Sequence, residues 1–302
     1  MKERLLLPLI FFLSGLQIFG QSERINSSEF IPIGGIDQWV TLSGEDVSDP
    51  VVLFLHGGPG SPLTPYASTI FKDWDKELVL VQWDQRGAGR TFGTYAPEEL
   101  DPEFLKSHPL SLDLMVKDGI ELAEYLTKRL GKQKIILFGT SWGSALGARM
   151  AFERPDLFHA YIGHSQLVNP SEDNELTYHK LLRLVQENQD VTSLQVLDSI
   201  GPPPYDRARN MGRFIRVVKK YEQKNSAGFP EEWIDIPPEY RDQKDAQDRA
   251  EGDDYSFLNY AGDSLFKVKP MSSSINLMEN AYQFGIPVYL IQGEEDILTP
   301  KE

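Results

Sequence analysis

Short apolar runs alternate with amphipathic stretches along most of this chain. Five of the runs have the length of strands that are buried on both faces of a sheet. They lie at residues 51–55, 78–83, 134–138, 160–164 and 287–293. Between the second and the third run, residues 111–130 carry leucine, methionine and valine at helical spacing, and Gly131 follows as a C-cap. Strands that alternate with helices predict a mostly parallel sheet that is flanked by helices.

A hairpin is predicted ahead of these runs. Residues 29–33 and 36–42 are rich in strand-forming side chains, and Gly34-Gly35 separates them. Two glycines between two such segments are typical of a tight antiparallel turn. We therefore expect an antiparallel pair of strands before the parallel part of the sheet.

The pattern changes after the fourth apolar run. Residues 168–275 are rich in charge and include helical segments such as ELTYHKLLRLVQEN. An insertion of about 100 residues is too long for a plain loop, so it predicts a helical cap. We expect an α/β core formed by residues 21–167 and 276–302, with the cap between these two parts.

The first twenty residues differ from the rest of the chain. Lys2 and Arg4 precede an apolar stretch at residues 5–19, and Gly20 offers a small residue for cleavage. This order predicts a secretory signal peptide over residues 1–20 and export to the periplasm or the medium, with no stable membrane insertion after its removal. An uncleaved anchor and a core element are the alternatives, but a spanning helix needs about 20 apolar residues.

Composition narrows the classes of function. The chain has 302 residues, of which 40% are hydrophobic, and this is enough for one large domain with an insertion. Its net charge of −15 repels phosphate backbones, so we expect no nucleic-acid partner. Because there is no cysteine, a disulfide framework and a catalytic thiol are excluded.

A serine follows the third apolar run directly. Residues 139–143, Gly-Thr-Ser-Trp-Gly, fit the pattern G-x-S-x-G, with a buried strand before them and a predicted helix from about Ser144 after them. A sharp strand-to-helix turn exposes the serine hydroxyl, and its flanking glycines let strand and helix pass closely. The pattern predicts Ser141 as a nucleophile, and an ordinary serine at a helix start is the alternative.

A glycine-rich loop follows the first apolar run. An acyl-transfer enzyme needs backbone N–H donors directed at the developing oxyanion, one after the nucleophile and one from an early loop. Trp142 and Gly58, in the sequence HGGPG, fit these two positions. A plain glycine turn or a phosphate loop is the alternative, but the Lys-Ser/Thr signature of a phosphate loop is absent.

Acidic residues follow two other runs. Asp296 comes shortly after the fifth run and is the candidate acid that orients a histidine, with Glu294 and Glu295 as neighbouring alternatives. After the second run, Asp84 and Arg86 are expected to form a charge-assisted pair that fixes the surrounding loops. We interpret this pair as scaffold rather than chemistry.

Four motifs together resemble the proline iminopeptidase family of α/β-hydrolases. They are HGGPG at 56–60, DQRGAGRT at 84–91, GTSWGS at 139–144 and GEEDILTP at 293–300. The resemblance covers about 29–167 and 286–300. It implies an α/β-hydrolase fold with a helical cap, a serine triad without metal or cofactor, and peptide substrates from which an N-terminal residue, typically proline, is removed. By position, it assigns Ser141 as the nucleophile, Asp296 as the acid, and Gly58 and Trp142 as the oxyanion hole.

The resemblance does not extend clearly into the cap, where the α-ammonium of an aminopeptidase substrate would be held by carboxylates. Glu172 and Glu175 are the candidates, and a solvated helix start is the alternative for both. Relatives with similar cores also hydrolyse esters and other amides. An esterase or general amidase, and an inactive binding homologue, are therefore the competing functions.

The order of a triad on this fold is serine, acid, histidine, yet no histidine follows Asp296. The simplest expectation is that the last strand and the histidine loop are missing from the 302 residues, and that this chain is nearly inactive. His164, at the end of the fourth run, is expected at the edge of the pocket and not as the base.

Overall fold

The computed structural model describes residues 23–226, 228–280 and 283–301. The predicted signal peptide lies outside these described residues. Seven strands form one sheet: β1 (Ile25–Ile33), β2 (Ile36–Gly44), β3 (Val51–Leu55), β4 (Val79–Trp83), β5 (Ile135–Thr140), β6 (Phe158–His164) and β7 (Val288–Ile291). Within the described ranges, no helix is both long and apolar enough to cross a bilayer.

The sheet has the order β1-β2-β4-β3-β5-β6-β7. The first two strands pair antiparallel with each other, and β2 pairs antiparallel with β4, whereas the remaining neighbours are parallel. The central strands β3 and β4 are buried at every position, as their continuous apolar runs predict. The predicted α/β fold with a mostly parallel sheet is confirmed.

The predicted hairpin is also confirmed, and both of its strands are nine residues long. Ile33 pairs with Ile36 across a two-residue turn. Gly34 and Gly35 have φ angles of 58° and 79°. Two consecutive positive φ angles match the right-handed twist of a hairpin, and glycine adopts them without a Cβ clash.

Helices flank the sheet and fill the segment between β6 and β7. They are α1 (Ala67–Ile70), α2 (Gly89–Gly93), α3 (Pro102–Ser107), α4 (Leu112–Arg129), α5 (Trp142–Glu153), α6 (Pro170–Glu187), α7 (Val191–Ile200), α8 (Ala208–Asn225), α9 (Gln243–Ala261) and α10 (Leu277–Asn280). Short 3-10 helices lie at Thr64–Tyr66, Trp74–Lys76, Pro155–Leu157, Glu231–Ile234, Pro238–Tyr240 and Met271–Ser274. The side chain of Ser111 caps α4 by accepting from the N–H of Leu114, and Gly131 follows the helix with a φ of 63°.

The helix α9 is fastened to the core through α2. The guanidinium of Arg90 forms a bidentate ion pair with Asp245, at 2.7 Å for each nitrogen–oxygen contact. It also lies over the rings of Trp39 and Tyr240, 4.6 and 4.3 Å from their centroids. Fork-shaped pairing and stacking together hold the guanidinium in one orientation, so α9 is held in a defined position above the sheet.

The predicted pair between Asp84 and Arg86 is wrong. Arg86 instead donates from Nε to the buried carboxylate of Asp118 on α4, at 2.7 Å. Asp84 accepts from the Thr64 hydroxyl and from the Arg90 N–H, the latter at 2.9 Å. Both side chains bind partners on other elements, and the two-residue spacing of Asp84 and Arg86 contains no information about those partners.

Candidate active site

Ser141 occupies the turn between β5 and α5. Its φ of 51° and ψ of −121° lie outside the regions that a serine ordinarily adopts. The N–H of Ser141 donates to the carbonyl of His164 at 3.0 Å, and its carbonyl accepts from the N–H of Ser144 at 2.8 Å. Backbone strain of this kind costs about 1–3 kcal/mol and persists where the surroundings enforce it. This is the geometry that a nucleophile elbow requires.

The glycines at 139 and 143 allow the turn to form. A Cβ atom added at Gly143 would lie 2.0 Å from the carbonyl oxygen of Leu55, at the end of β3. One added at Gly139 would lie 2.3 Å from the carbonyl oxygen of Gly143. Both distances are far below van der Waals contact, so no larger residue fits without a shift of the backbone. The helix therefore begins at Trp142, closer to the serine than the sequence predicts.

The loop after β3 lies directly against this serine. A Cβ atom added at Gly57 would be 3.3 Å from the Cβ of Ser141 and 3.8 Å from its Oγ. Within the described chain, neither the N–H of Gly58 nor that of Trp142 donates a hydrogen bond. As the first residue of α5, Trp142 also has an N–H that the helix leaves without an acceptor. Two backbone donors without an acceptor thus belong to residues that line the same cavity as Ser141.

Asp296 follows β7 in a short turn that fixes its carboxylate. Its Oδ1 accepts from the N–H of Thr299 at 2.9 Å, and its Oδ2 accepts from the Thr299 hydroxyl at 2.7 Å. Gln292 donates to the same Oδ2 at 3.2 Å. Ser141 and Asp296 line one open cavity of about 470 Å³, together with the predicted alternatives Glu294 and Glu295. Those two glutamates have mostly exposed side chains, whereas Asp296 is half-buried.

None of the five histidines lies between these two residues. Among the described residues, no imidazole hydrogen-bonds to Ser141 or Asp296. His164 is exposed, its Nδ1 is 3.0 Å from the Thr140 hydroxyl, and it does not line either cavity beside the serine. The expected place of His164 at the edge of the pocket is therefore corrected to a position on the surface.

Ser141 also lines a second, more enclosed cavity of about 230 Å³. Ser141, Gly58 and Trp142 form one wall of it. The helices α8 and α9 supply one side chain per turn to the opposite walls: Met211, Ile215 and Lys219 from the first, and Asp253, Phe257 and Tyr260 from the second. The cavity is therefore apolar over most of its walls, with a few charged groups.

Asp173 on α6 is the buried acid of this cavity. Its Oδ2 is inaccessible to solvent and has no hydrogen-bond partner within the described chain. Burial raises the pKa of Asp173 to about 6, although backbone hydrogen bonds from Asn169 and Val168 lower it. A second carboxylate, Asp253, accepts from the hydroxyl of Ser61 at 2.7 Å. Asp173, Asp253 and Lys219 are thus the charged side chains in the lining of this cavity.

Glu172 and Glu175 do not face the serine. They line a neighbouring cavity of about 260 Å³, together with Pro203, Pro204 and Tyr205. Successive residues of a helix are 100° apart, so Asp173 faces away from Glu175 even though they are two positions apart. The expectation that Glu172 and Glu175 face the pocket is corrected accordingly, whereas Asp173 and Asp253 do line the cavity that contains Ser141.

Helical spacing could have identified Asp173. The buried residues of α6 lie on one face of the helix: Pro170, Thr177, Tyr178, Leu181 and Val185. Asp173 falls on the same stripe, at three positions after Pro170 and four before Thr177. An acid on the buried stripe of an amphipathic helix is the signal that the sequence analysis overlooked.

Comparisons with known proteins agree with this fold and motif set. The sequence model of the alpha/beta hydrolase fold family matches residues 50–302. Since the match covers most of the chain, the protein belongs to the alpha/beta hydrolase fold family.

Its relatives include aminopeptidases. Over 275 residues the chain is 29% identical to the "Probable aminopeptidase YbaC" of Bacillus subtilis, covering 90% of this chain and 81% of that protein. Over 117 residues it is 35% identical to a "Probable proline iminopeptidase" of Streptomyces coelicolor, but this segment spans only 39% of this chain and 32% of that protein. The resemblance to proline iminopeptidases in sequence is thus confirmed.

A solved structure gives the same result for the fold. The crystal structure of the proline iminopeptidase from Mycobacterium smegmatis matches with a TM-score of 0.61 and 19% identity, covering 91% of this chain and 84% of that one. At this level of identity the likeness concerns the fold alone.

The steric constraint at the elbow yields a first prediction. Gly143→Ala should lower the free energy of unfolding by about 1–3 kcal/mol, because its methyl group overlaps the Leu55 carbonyl. Gly212→Ala is the matched control, since its methyl group would lie 3.6 Å from the Phe257 ring. This second change should raise stability by about 0.5–1 kcal/mol, as expected for a glycine inside a helix. Urea denaturation measures both, and equal shifts would contradict the close approach.

Proposed function

We propose that this protein is a serine hydrolase that removes an N-terminal residue, of the proline type, from peptides through an acyl-enzyme on Ser141. One observation carries the proposal. The cavity beside Ser141 contains a buried carboxylate, Asp173, whose Oδ2 has no partner within the described residues. A carboxylate oxygen that lacks a partner is costly to bury, and the α-ammonium of a peptide would supply one.

The mechanism that we propose has two steps. In the first, Ser141 Oγ attacks the carbonyl carbon of the substrate and gives its proton to an imidazole base, which passes it to the leaving amine. The N–H groups of Gly58 and Trp142 stabilise the oxyanion of the tetrahedral intermediate. In the second, a water molecule attacks the acyl-enzyme, returns a proton to Ser141 through the same base, and releases the free amino acid.

Asp296 would orient that base and stabilise its cation. The support for this role is its fixed carboxylate and the open cavity of about 470 Å³ that it shares with Ser141. An imidazole placed in this cavity would contact both residues. The family resemblance implies a histidine there.

The enclosed cavity favours a small first residue. Its volume of about 230 Å³ is below the roughly 300–1,000 Å³ that is usual for pockets of drug-sized ligands. The apolar side chains of Met211, Phe257 and Tyr260 suit an aliphatic ring, while Asp173 and Asp253 suit its ammonium. These features support a free, proline-like N-terminus over an acylated one.

The proposed nucleophile can be identified by covalent labelling. In protein produced from the complete coding sequence, a fluorophosphonate probe should attach to Ser141, because its turn exposes an activated hydroxyl. Peptide mapping by mass spectrometry locates the adduct. Ser141→Ala should abolish labelling, whereas Ser61→Ala, a second serine of the same cavity, should retain it. Unchanged labelling of Ser141→Ala would rule out this assignment.

The role of Asp173 predicts a loss that is specific to free amines. Asp173→Asn should raise KM for Pro-p-nitroanilide about 10- to 100-fold, the usual worth of a hydrogen bond to a charged group. Glu172→Gln and Glu175→Gln should leave this KM unchanged, since both side chains line another cavity. N-acetyl-Pro-p-nitroanilide should be a poor substrate throughout. Equal rates on the free and the acetylated substrate would favour an esterase or general amidase instead.

The same residue predicts the direction of the pH dependence of substrate binding. Because the pKa of Asp173 is raised to about 6, its carboxylate is ionised above this pH and becomes neutral below it. KM for Pro-p-nitroanilide should therefore rise as pH falls through 6, and the rise should be absent in Asp173→Asn.

The cavity between Ser141 and Asp296 predicts chemical rescue. The 302-residue polypeptide should hydrolyse Pro-p-nitroanilide slowly, since no described histidine reaches Ser141 and only about 10³- to 10⁴-fold catalysis over water survives without a base. Added imidazole should raise this rate with saturation, after subtraction of the rate with Ser141→Ala. Asp296→Asn should weaken the rescue, and Glu295→Gln, on the exposed side of the cavity, should preserve it. A fast reaction without imidazole would show that the base lies within the chain, and His164 would be the first residue to replace.

A further inference from the structure

Gln85 is a fully buried side chain that the proposed mechanism does not use. It lies two residues after the end of β4, in the loop that carries Asp84 and Arg86, and its exposure is 0%. We propose that Gln85 is a positioning residue that holds the two oxyanion donors, Gly58 and Trp142, at a fixed distance from each other. This inference rests on the proposed function of Ser141.

The side chain of Gln85 connects two separate elements. Its Oε1 accepts from the indole Nε1 of Trp142 at 3.0 Å, and its Nε2 donates to the carbonyl of His56 at 3.0 Å. Its backbone N–H also donates to Nε2 of His56 at 3.2 Å. One amide group thus joins the residue after the nucleophile to the start of the glycine-rich loop.

The ring of His56 extends this connection into the loop. Burial lowers the pKa of His56 to about 4, so the imidazole is neutral. Since its Nε2 accepts from Gln85, its Nδ1 carries the proton and donates to the carbonyl of Gly57 at 2.8 Å. Gly57 directly precedes the proposed oxyanion donor Gly58. Hydrogen bonds thus hold the carbonyl groups of both His56 and Gly57, the two residues before this donor.

Strand pairing does not extend to either of the two donors. The parallel pairing of β3 with β5 ends where Leu55 lies opposite Gly139, before the loop and before the serine. In the described chain, no backbone hydrogen bond joins the loop at 57–60 to the first turn of α5. Oxyanion stabilisation depends on donors that are held in place before the reaction, and Gln85 supplies a polar connection between their two elements.

The test compares two glutamines of similar burial. Gln85→Met removes both amide contacts, and the matched control is Gln82→Met on β4, where Nε2 of the native residue has no partner within the described chain. Both variants are made in protein from the complete coding sequence and assayed with Pro-p-nitroanilide. Gln85→Met should lower kcat about 10- to 100-fold, which does not exceed the decrease in kcat expected when one oxyanion donor is removed. KM should change less than about threefold, because substrate binding does not depend on the oxyanion donors. Gln82→Met should leave both constants unchanged.

A conservative variant separates positioning from packing. In Gln85→Glu, a protonated carboxyl group can accept from Trp142 and donate to the His56 carbonyl, whereas an ionised one repels that carbonyl. The ratio of kcat between Gln85→Glu and the wild type should therefore rise as pH falls. Thermal melting of each variant reports its stability independently of kcat.

Three outcomes are decisive. Loss of kcat in Gln85→Met, with Gln82→Met unaffected, supports the inference. Wild-type kcat in Gln85→Met overturns it, and so does a kcat ratio of Gln85→Glu to wild type that does not change with pH. If Gln85→Met does not fold, the pH dependence of the Gln85→Glu ratio alone decides the question. Failure of the proposed function is distinct, because the fluorophosphonate probe would then not label Ser141 in the wild-type protein.

Discussion

The close approach between the first turn of α5 and the end of β3 is the constraint on which the candidate site depends. It exists because residues 139 and 143 are glycines, and it forces Ser141 into a strained conformation with a positive φ. The same approach brings the glycine-rich loop against Ser141, so the two proposed oxyanion donors and the proposed nucleophile come together. The flanking strands and α5 are packed in the core and can bear the cost of this strain.

Local patterns account for most of the fold. The strands β3 to β6 and the helix α4 follow apolar runs and helical spacing, and a two-glycine turn fixes the hairpin. The elbow was predictable for the same reason, since its requirements lie within five consecutive residues. Parallel strands end at one edge of the sheet, and four site residues follow such strands: Gly58, Ser141, Trp142 and Asp296. Their common location could therefore be predicted without any information about the cap.

Contacts between residues that are distant in the sequence could not be predicted in the same way. Arg86 pairs with Asp118, and Arg90 pairs with Asp245, across 32 and 155 positions of the sequence. Such partners are set by tertiary packing, and spacing along the chain contains no information about them. In α6 we predicted two exposed glutamates as ligands, although the helical phase places Asp173 on the buried face. Charge at a helix start and position on its inner face are separate signals, and the second decides which acid reaches a cavity.

One cavity contains both the proposed nucleophile, Ser141, and the carboxylate that we propose recognises a free amine, Asp173. The most direct measurement is the crystal structure of the protein after reaction with the diphenyl ester of pyrrolidine-2-phosphonic acid, a proline analogue with a free ring nitrogen. This arrangement predicts that phosphorus is bonded to Ser141 Oγ, that the phosphonyl oxygen lies within hydrogen-bond distance of the N–H groups of Gly58 and Trp142, and that the ring nitrogen lies beside Asp173. Phosphorus on another residue, or a ring nitrogen directed away from Asp173 and Asp253, would contradict it.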